Sequence, residues 1–135
     1  MMRLFFDANV LFTAAHNPHG KAALVIELGI KGHWQLLTST YAVAEARRNL
    51  TAKFPAALTW LETCLPSFAV VSHHTNTPFP TGLAEKDRPI FQGSLGCGAS
   101  HLLTGDLKDF GPWMNRPEET RGILIQTVAQ FLESL

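Results

Sequence analysis

Residues 3–12 read RLFFDANVLF, and this stretch decides the fold of the chain. Arg3 to Phe6 is a short, mostly apolar run that ends at Asp7, as expected for a buried strand. A helix is predicted to follow from Asn9 to Ala15. A buried strand that passes directly into a helix indicates an α/β fold, and here it leaves a carboxylate at the end of the strand.

Further apolar runs alternate with helical patterns along the rest of the chain. We predict additional strands at residues 34–37, 68–72, 101–104 and 123–125. Further helices are predicted at residues 21–29, 41–50, 55–65, from about 88 with Gly98 as the C-cap after it, and 127–135. This alternation predicts a three-layer α/β/α sandwich around a central, mostly parallel five-stranded sheet, with residues 1–135 forming a single domain.

The composition limits the classes of function. The 135 residues are 46% hydrophobic, which is enough for the core of one domain. Eleven basic and eleven acidic side chains cancel, so a surface for nucleic acid would require local segregation of charge. Cys64 and Cys97 form no disulfide framework, which favours a reducing setting. The apolar start is short and is interrupted by Asp7, so we expect neither a signal peptide nor a membrane span, and a cytoplasmic location.

The chain contains only four aspartates, and each lies beside a predicted strand or helix end: Asp7, Asp87, Asp106 and Asp109. Parallel sheets place their sites at the carboxyl ends of strands, so Asp7 and Asp106 converge if the first and fourth strands are neighbours. Taken singly, Asp7 and Asp87 also fit helix caps, and Asp106 fits a turn. Glu45 alone fits a solvated helix position. A gathering of all four carboxylates would instead suit Mg²⁺ or Mn²⁺, which prefer oxygen ligands.

The acids occur in a recognisable order and spacing. The opening motif is FDANVL at residues 6–11, and Glu45 lies within TSTYAVAEARRNL after the second predicted strand. KDRPI at residues 86–90 then leads to LLTGDLKDF at residues 102–110. Over nearly its whole length, the chain resembles the PIN-domain nucleases, a family that includes toxins of bacterial toxin-antitoxin pairs.

The resemblance implies a metal-dependent ribonuclease, often a homodimer and often inhibited by a cognate antitoxin protein. By position in the motifs, it implies a catalytic set that holds Mg²⁺ or Mn²⁺ directly or through water: Asp7, Glu45, Asp87 and Asp106. Asp109 matches a further metal-binding acid that part of the family has. Asn9 and Thr104 match supporting polar positions.

Several polar side chains near these acids are candidates for binding RNA phosphates: Arg48, Asn49, Arg88 and Lys108. Solubility and local ion pairing explain such surface charges equally well. Paired histidines in Pro- and Gly-bearing loops lack cysteine partners nearby, which disfavours a zinc site. Gly93 and Gly96 interrupt a predicted helix, and they indicate close helix packing or a dimer contact.

Two other functions compete with the nuclease. The first is a non-catalytic PIN-fold module that binds a partner, which the presence of all four principal acids disfavours. The second is a receiver or an aspartyl phosphatase. Such phosphatases have a second aspartate where this chain has Asn9, and receivers have a lysine after the last strand, where Ile125-Gln126-Thr127 has none.

Overall fold

The computed structural model describes all 135 residues, and its centre is a five-stranded parallel sheet. The strands are β1 (Arg3–Phe6), β2 (Gln35–Ser39), β3 (Ala69–Val71), β4 (His101–Leu103) and β5 (Leu124–Gln126). Their order across the sheet is β3-β2-β1-β4-β5, and every neighbouring pair is parallel. The predicted α/β fold is confirmed, and the sheet is wholly rather than mostly parallel.

Six helices connect and cover the strands: α1 (Ala8–His16), α2 (Lys21–Ile30), α3 (Thr40–Lys53), α4 (Leu58–Cys64), α5 (Arg88–Gly96) and α6 (Val128–Glu133). Leu36 of β2 lies against Gly29 of α2, whereas Phe5 of β1 lies against Gly93 of α5. Leu36 pairs with Leu4, the strand neighbour of Phe5. Because adjacent residues of a strand point to opposite faces, α2 and α5 cover opposite faces of the sheet.

Local sequence explains where three of the six helices begin and where α5 ends. Asp7 and Ser39 accept backbone hydrogen bonds at the starts of α1 and α3, and Thr127 forms a capping box with Gln130 at α6. Gly98, with a φ of +72°, follows the end of α5 in the left-handed conformation that favours glycine. These N-terminal caps sit next to the strand ends, so they also fix the direction in which each helix leaves the sheet.

One predicted helix, residues 55–65, is wrong in extent. The structure has a 3-10 turn at Pro55–Ala57, the short helix α4, and a second 3-10 turn at Leu65–Ser67. Pro66 lacks the backbone donor that would continue the α-helix beyond Cys64. The last strand also starts one residue later than predicted, since Thr120 donates a hydrogen bond to the carbonyl of Ile123 in the preceding turn.

The core is one cluster of 32 buried apolar residues between the sheet and its helices. β1 is its centre, since Leu4, Phe5 and Phe6 are fully buried. None of the helices is both long enough and apolar enough to span a lipid bilayer. Because β1 lies between β2 and β4, the chain changes its direction of travel across the sheet at the β1–β4 pair. Such a reversal opens a crevice at the carboxyl ends of the two strands.

Candidate metal centre

Asp7 and the residues that follow β4 lie side by side at this crevice. The backbone N–H of Asp7 donates to the carbonyl of Leu103 at 3.0 Å, which extends the strand pairing by one residue. The Asp7 carboxylate accepts three further hydrogen bonds, from the backbone of Ala8, the Thr104 hydroxyl and the Asn9 amide. The predicted convergence of the first and fourth strands therefore occurs, and it fixes the Asp7 side chain between them.

Burial dominates the electrostatics of Asp7, which is only 3% exposed. Desolvation raises the pKa of this carboxyl to about 6, against the opposing effect of the hydrogen bonds from Thr104 and Ala8. The negative charges of Asp87 and Glu45 raise the pKa of Asp7 further. A carboxylate that is buried among other acids is stabilised in its ionised form when a cation lies nearby.

Asn9 joins α1 to the loop that follows β4. Its amide nitrogen donates to Asp7 Oδ2 at 3.1 Å, and its Oδ1 accepts from the backbone N–H of Gly105 at 2.7 Å. The Thr104 hydroxyl oxygen also accepts from the backbone N–H of Asp106 at 3.1 Å. Through these hydrogen bonds Asn9 and Thr104 connect the end of β1 to the loop after β4, and their supporting role at a metal site stays a prediction.

A second group of carboxylates surrounds the ammonium group of Lys86. Lys86 Nζ lies 2.7 Å from Asp109, 2.8 Å from Asp87 and 3.1 Å from Asp106. One oxygen of each of these aspartates lies within 4.8 Å of the others. Burial opposes protonation of Lys86, yet hydrogen bonds to the three aspartates raise the pKa of the ammonium well above its usual value. Three oxygens that enclose one positive charge form a cation-holding arrangement.

The individual aspartates of this group differ in their surroundings. Burial raises the pKa of Asp87, which is 5% exposed. Asp87 makes no side-chain capping hydrogen bond at the start of α5, so the helix-cap explanation for it is wrong. Asp106 Oδ1 accepts from the backbone N–H of Asp109, which folds the loop inward. The hydrogen bond from Lys86 lowers the pKa of Asp109.

Four of the five acids share one polar cleft of about 270 Å³, and Asp109 lies outside its lining. Its lining residues are Asp7, Asn9, Phe12, Glu45, Asn49, Lys53, Lys86, Asp87 and Asp106. A larger cavity of about 500 Å³ lies on the other side of Asn9, Thr104 and Gly105, and no acidic residue lines it. The oxygen-rich cleft, rather than the larger cavity, has the donor chemistry that a hard divalent cation requires.

The residues predicted to bind substrate are divided by the structure. Asn49 lines the cleft, whereas Arg48 and Lys108 are exposed outside its lining. Arg88 turns away from the acids, donates to the carbonyl of Leu83 and lies over the ring of Phe79 at 4.7 Å. The guanidinium finds its partners within residues 79–83, which explains why sequence proximity to Asp87 does not bring it into the cleft.

Three features in and beside the cleft were not predicted. Lys86 bridges the aspartates and does not merely flank them, Phe12 forms an apolar wall, and the Tyr41 hydroxyl donates to the carbonyl of Lys86 at 2.9 Å. The adjacent position of Lys86 and Asp87 was a usable signal for an ion pair. The spacing of Phe12 from Asn9, three residues along a helix, was a signal for a shared face.

The sequence matches no protein-family model, and no curated protein matches it significantly. Solved structures do match in fold. VapBC2 from Rickettsia felis bound to a promoter DNA fragment aligns with a TM-score of 0.67 and 15% identity, covering 93% of this chain and 98% of that chain. DNA-bound VapBC from Salmonella typhimurium gives 0.65 and 16%, with coverages of 95% and 99%.

VapBC-1 from nontypeable Haemophilus influenzae matches with a TM-score of 0.60 and 14% identity, covering 95% of this chain and 99% of that chain. VapC is the PIN-domain toxin of such complexes, and this chain has the size of a VapC protein. The chain has the PIN-domain fold. At identities of 14 to 16% the likeness is one of fold, so the chemistry of this PIN-fold protein is argued from its own residues.

Proposed function

We propose that the protein is a metal-dependent endoribonuclease that hydrolyses RNA phosphodiester bonds and acts as the toxin of a toxin-antitoxin pair. The observation that carries the proposal is the convergence of Asp7, Glu45, Asp87 and Asp106 on one cleft at the β1–β4 crevice. The PIN-domain fold supports it independently. In this proposal residues 1–135 form one nuclease domain.

The chemistry of the cleft fits Mg²⁺ or Mn²⁺. The acidic side chains of the cleft offer carboxylate oxygens as ligand atoms, and neither histidine nor cysteine lines it. Three aspartates already enclose the positive charge of Lys86. We assign metal binding to Asp7, Glu45, Asp87, Asp106 and Asp109, directly or through water. An ion held by these residues would lower the pKa of a bound water and would stabilise negative charge on the phosphate oxygens.

Other residues in and beside the cleft orient the carboxylates and bind the RNA phosphates. Thr104 and Asn9 fix the Asp7 carboxylate through hydrogen bonds, so its oxygens keep one orientation. Lys53 and Asn49 line the cleft from α3 and supply hydrogen-bond donors for the phosphates on either side of the cleaved bond. Lys86, once it releases the aspartates, carries a positive charge that also suits a phosphate. Arg48 and Lys108 remain candidates for phosphates farther along the strand.

The proposed partner is a cognate antitoxin protein. Three solved structures that match this chain in fold are VapBC complexes, two of them bound to DNA. By analogy, an antitoxin would bind this chain and block its cleft. Assembly as a homodimer and a cytoplasmic location stay predictions of the sequence.

Cleavage of a labelled single-stranded RNA by the purified protein tests the proposal. We expect cleavage with Mg²⁺ or Mn²⁺, none in excess EDTA, and none by Asp7→Asn or Asp106→Asn variants that keep the wild-type circular dichroism spectrum. Glu62→Gln is the matched control, since Glu62 pairs with Arg47 on the exposed surface away from the cleft. Robust cleavage in EDTA would contradict the metal mechanism. Full activity in both aspartate variants would exclude these residues as ligands, and absence of cleavage by the wild type would favour a non-catalytic module.

A further inference from the structure

Two helix faces extend the acid cleft beyond its carboxylates. On α1, Asn9, Phe12 and His16 recur at three- and four-residue spacing and therefore share a face. On α3, Glu45, Asn49 and Lys53 recur every fourth residue. Phe12, Asn49 and Lys53 line the cleft together with the acids, so the two faces continue it away from the sheet.

Aromatic rings close the far end of this extension. The rings of His16 and Phe54 are stacked, with centroids 3.8 Å apart and an interplanar angle of 19°. The Phe12 ring lies 5.9 Å from Phe54 and 6.1 Å from His16. We call these three side chains the aromatic platform. From Asn9 to His16 the helix advances about 10 Å, so the platform begins within the cleft and ends roughly two turns away.

The platform is not explained by the hydrophobic core alone. Phe12 packs against the core, but Phe54 is 39% exposed and lies outside the core cluster. His16 is also exposed, so a stacked pair of rings faces solvent beside the cleft. Lys53 adds a positive charge, with its ammonium 5.8 Å from the centroid of the Phe12 ring. Burying such a surface would be favourable for a ligand that is flat, apolar on its faces and negatively charged along its length.

An unpaired nucleotide strand has these properties. Proteins that bind single-stranded nucleic acid combine cationic side chains along the backbone with aromatic rings on which bases stack. The platform supplies the rings, Lys53 supplies the charge, and both are continuous with the proposed cleavage site. A hydrophobic segment of a partner protein would use the apolar rings but would gain little from Lys53.

We propose that the aromatic platform stacks an unpaired RNA base close to the cleaved bond, with Lys53 holding the phosphate between that base and the carboxylates. This inference rests on the proposed ribonuclease function and adds to it a base-binding subsite formed by the aromatic platform. Double-stranded RNA is a poor substrate, because its paired bases cannot lie on the platform.

Binding of a fluorescently labelled single-stranded RNA, measured by anisotropy, tests the platform apart from cleavage. All proteins carry Asp7→Asn, so the RNA survives in the presence of Mg²⁺. Phe54→Ala and Phe54→Leu should each weaken binding by about 5- to 100-fold, since a stacked base loses its ring, whereas Phe54→Trp should retain affinity. Phe79→Ala is the matched control, because Phe79 is 38% exposed, also contacts a cation, and lies outside the cleft.

A second arm removes the base instead of the ring. Once the wild type has located the cleaved bond, RNAs with single abasic positions beside it are bound to the Asp7→Asn protein and to its Phe54→Ala derivative. At one position the abasic change should weaken RNA binding by the Asp7→Asn protein and leave RNA binding by its Phe54→Ala derivative unchanged. The same loss in both proteins at every position would overturn the stacking contact.

The outcomes separate this inference from the proposed function. Cleavage by the wild type together with unchanged RNA affinity in Phe54→Ala overturns the platform and leaves the nuclease standing. Absence of cleavage overturns the nuclease, whatever the binding data show. If Phe54→Leu keeps full RNA affinity, the contact is not stacking and the inference fails. If Phe54→Ala loses only the affinity for a partner protein, the platform is a protein-docking surface and the inference also fails.

Discussion

The Thr104 hydroxyl donates a 2.7 Å hydrogen bond to Asp7 Oδ2, although the two residues are 97 positions apart in the chain. The pairing of β1 with β4 sets the two side chains next to each other at the end of the sheet. This bond favours the ionised carboxylate and partly offsets the desolvation that raises the pKa of Asp7. Thr104 thereby tunes the charge of a proposed metal ligand without itself binding the ion.

Replacing Thr104 with valine should raise the pKa of Asp7 above about 6 in the metal-free protein, because the shape is kept while the donor is lost. A pH titration of the Asp7 carboxyl carbon by NMR in EDTA measures the shift. Thr120→Val is the control, since Thr120 donates its buried hydroxyl to a carbonyl far along the chain from Asp7. An unchanged pKa in Thr104→Val would show that the bond does not act on Asp7.

Asp7→Asn should change how stability depends on pH. The pKa of Asp7 is about 6 in the folded protein, against the ordinary value of 3.8 that an unfolded chain has, so the folded state holds this proton more tightly. Ionisation of Asp7 therefore destabilises the metal-free protein. This destabilisation is absent below about pH 3.8, grows as the pH rises, and is complete above about pH 6. The free energy of unfolding should fall by about 2 to 3 kcal/mol more in wild type than in Asp7→Asn between pH 4 and pH 7.

Urea unfolding in EDTA at several pH values gives this difference directly. The comparison uses the change with pH and not the absolute stability, because asparagine also alters the three hydrogen bonds to residue 7. If the free energy of unfolding changes with pH in the same way in both proteins, Asp7 does not titrate with a raised pKa.

Lys86→Met should lower the free energy of unfolding of the metal-free protein and tighten its binding of Mg²⁺. Without the ammonium, Asp87, Asp106 and Asp109 repel one another, and a divalent ion no longer competes with a positive side chain. Calorimetric titration with Mg²⁺ and urea unfolding with and without Mg²⁺ measure both effects. Lys31→Met, at the exposed end of α2, is the control and should leave both unchanged. Weaker Mg²⁺ binding in Lys86→Met would make Lys86 a supporter of the metal site instead of a competitor.

The two glycines of α5 should respond to alanine in opposite ways. A Cβ at Gly93 would lie 3.2 Å from Cζ of Phe5, a fully buried ring with little room to move, so Gly93→Ala should destabilise the protein by about 1 to 3 kcal/mol. Gly96 has open space around it, so Gly96→Ala should stabilise by about 0.5 to 1 kcal/mol. Urea unfolding of both variants checks the pair. A loss of stability in Gly96→Ala would indicate a contact between copies of the chain at that position.

The strands and the convergence of Asp7 with Asp106 were predictable because both follow from local apolar runs and a general property of parallel sheets. The packing explanation for Gly93 also came from the sequence, but its neighbour Phe5 did not. Long, flexible side chains were less predictable. Lys86 and Arg88 flank Asp87, yet one turns into the acids and the other turns away to Phe79. Their paths depend on loops whose shape no short-range pattern specifies.

The tie that Asn9 makes between Asp7 and Gly105 has a consequence for the newly synthesised chain. A nascent polypeptide already carries Asp7 and Glu45 while β4 is still untranslated, so the cleft has only one of its walls. Asp106 joins the other carboxylates only after β4 has been translated and has paired with β1. Under the proposed ribonuclease function, a chain released before β4 pairs with β1 would lack the complete carboxylate set and could not cleave RNA.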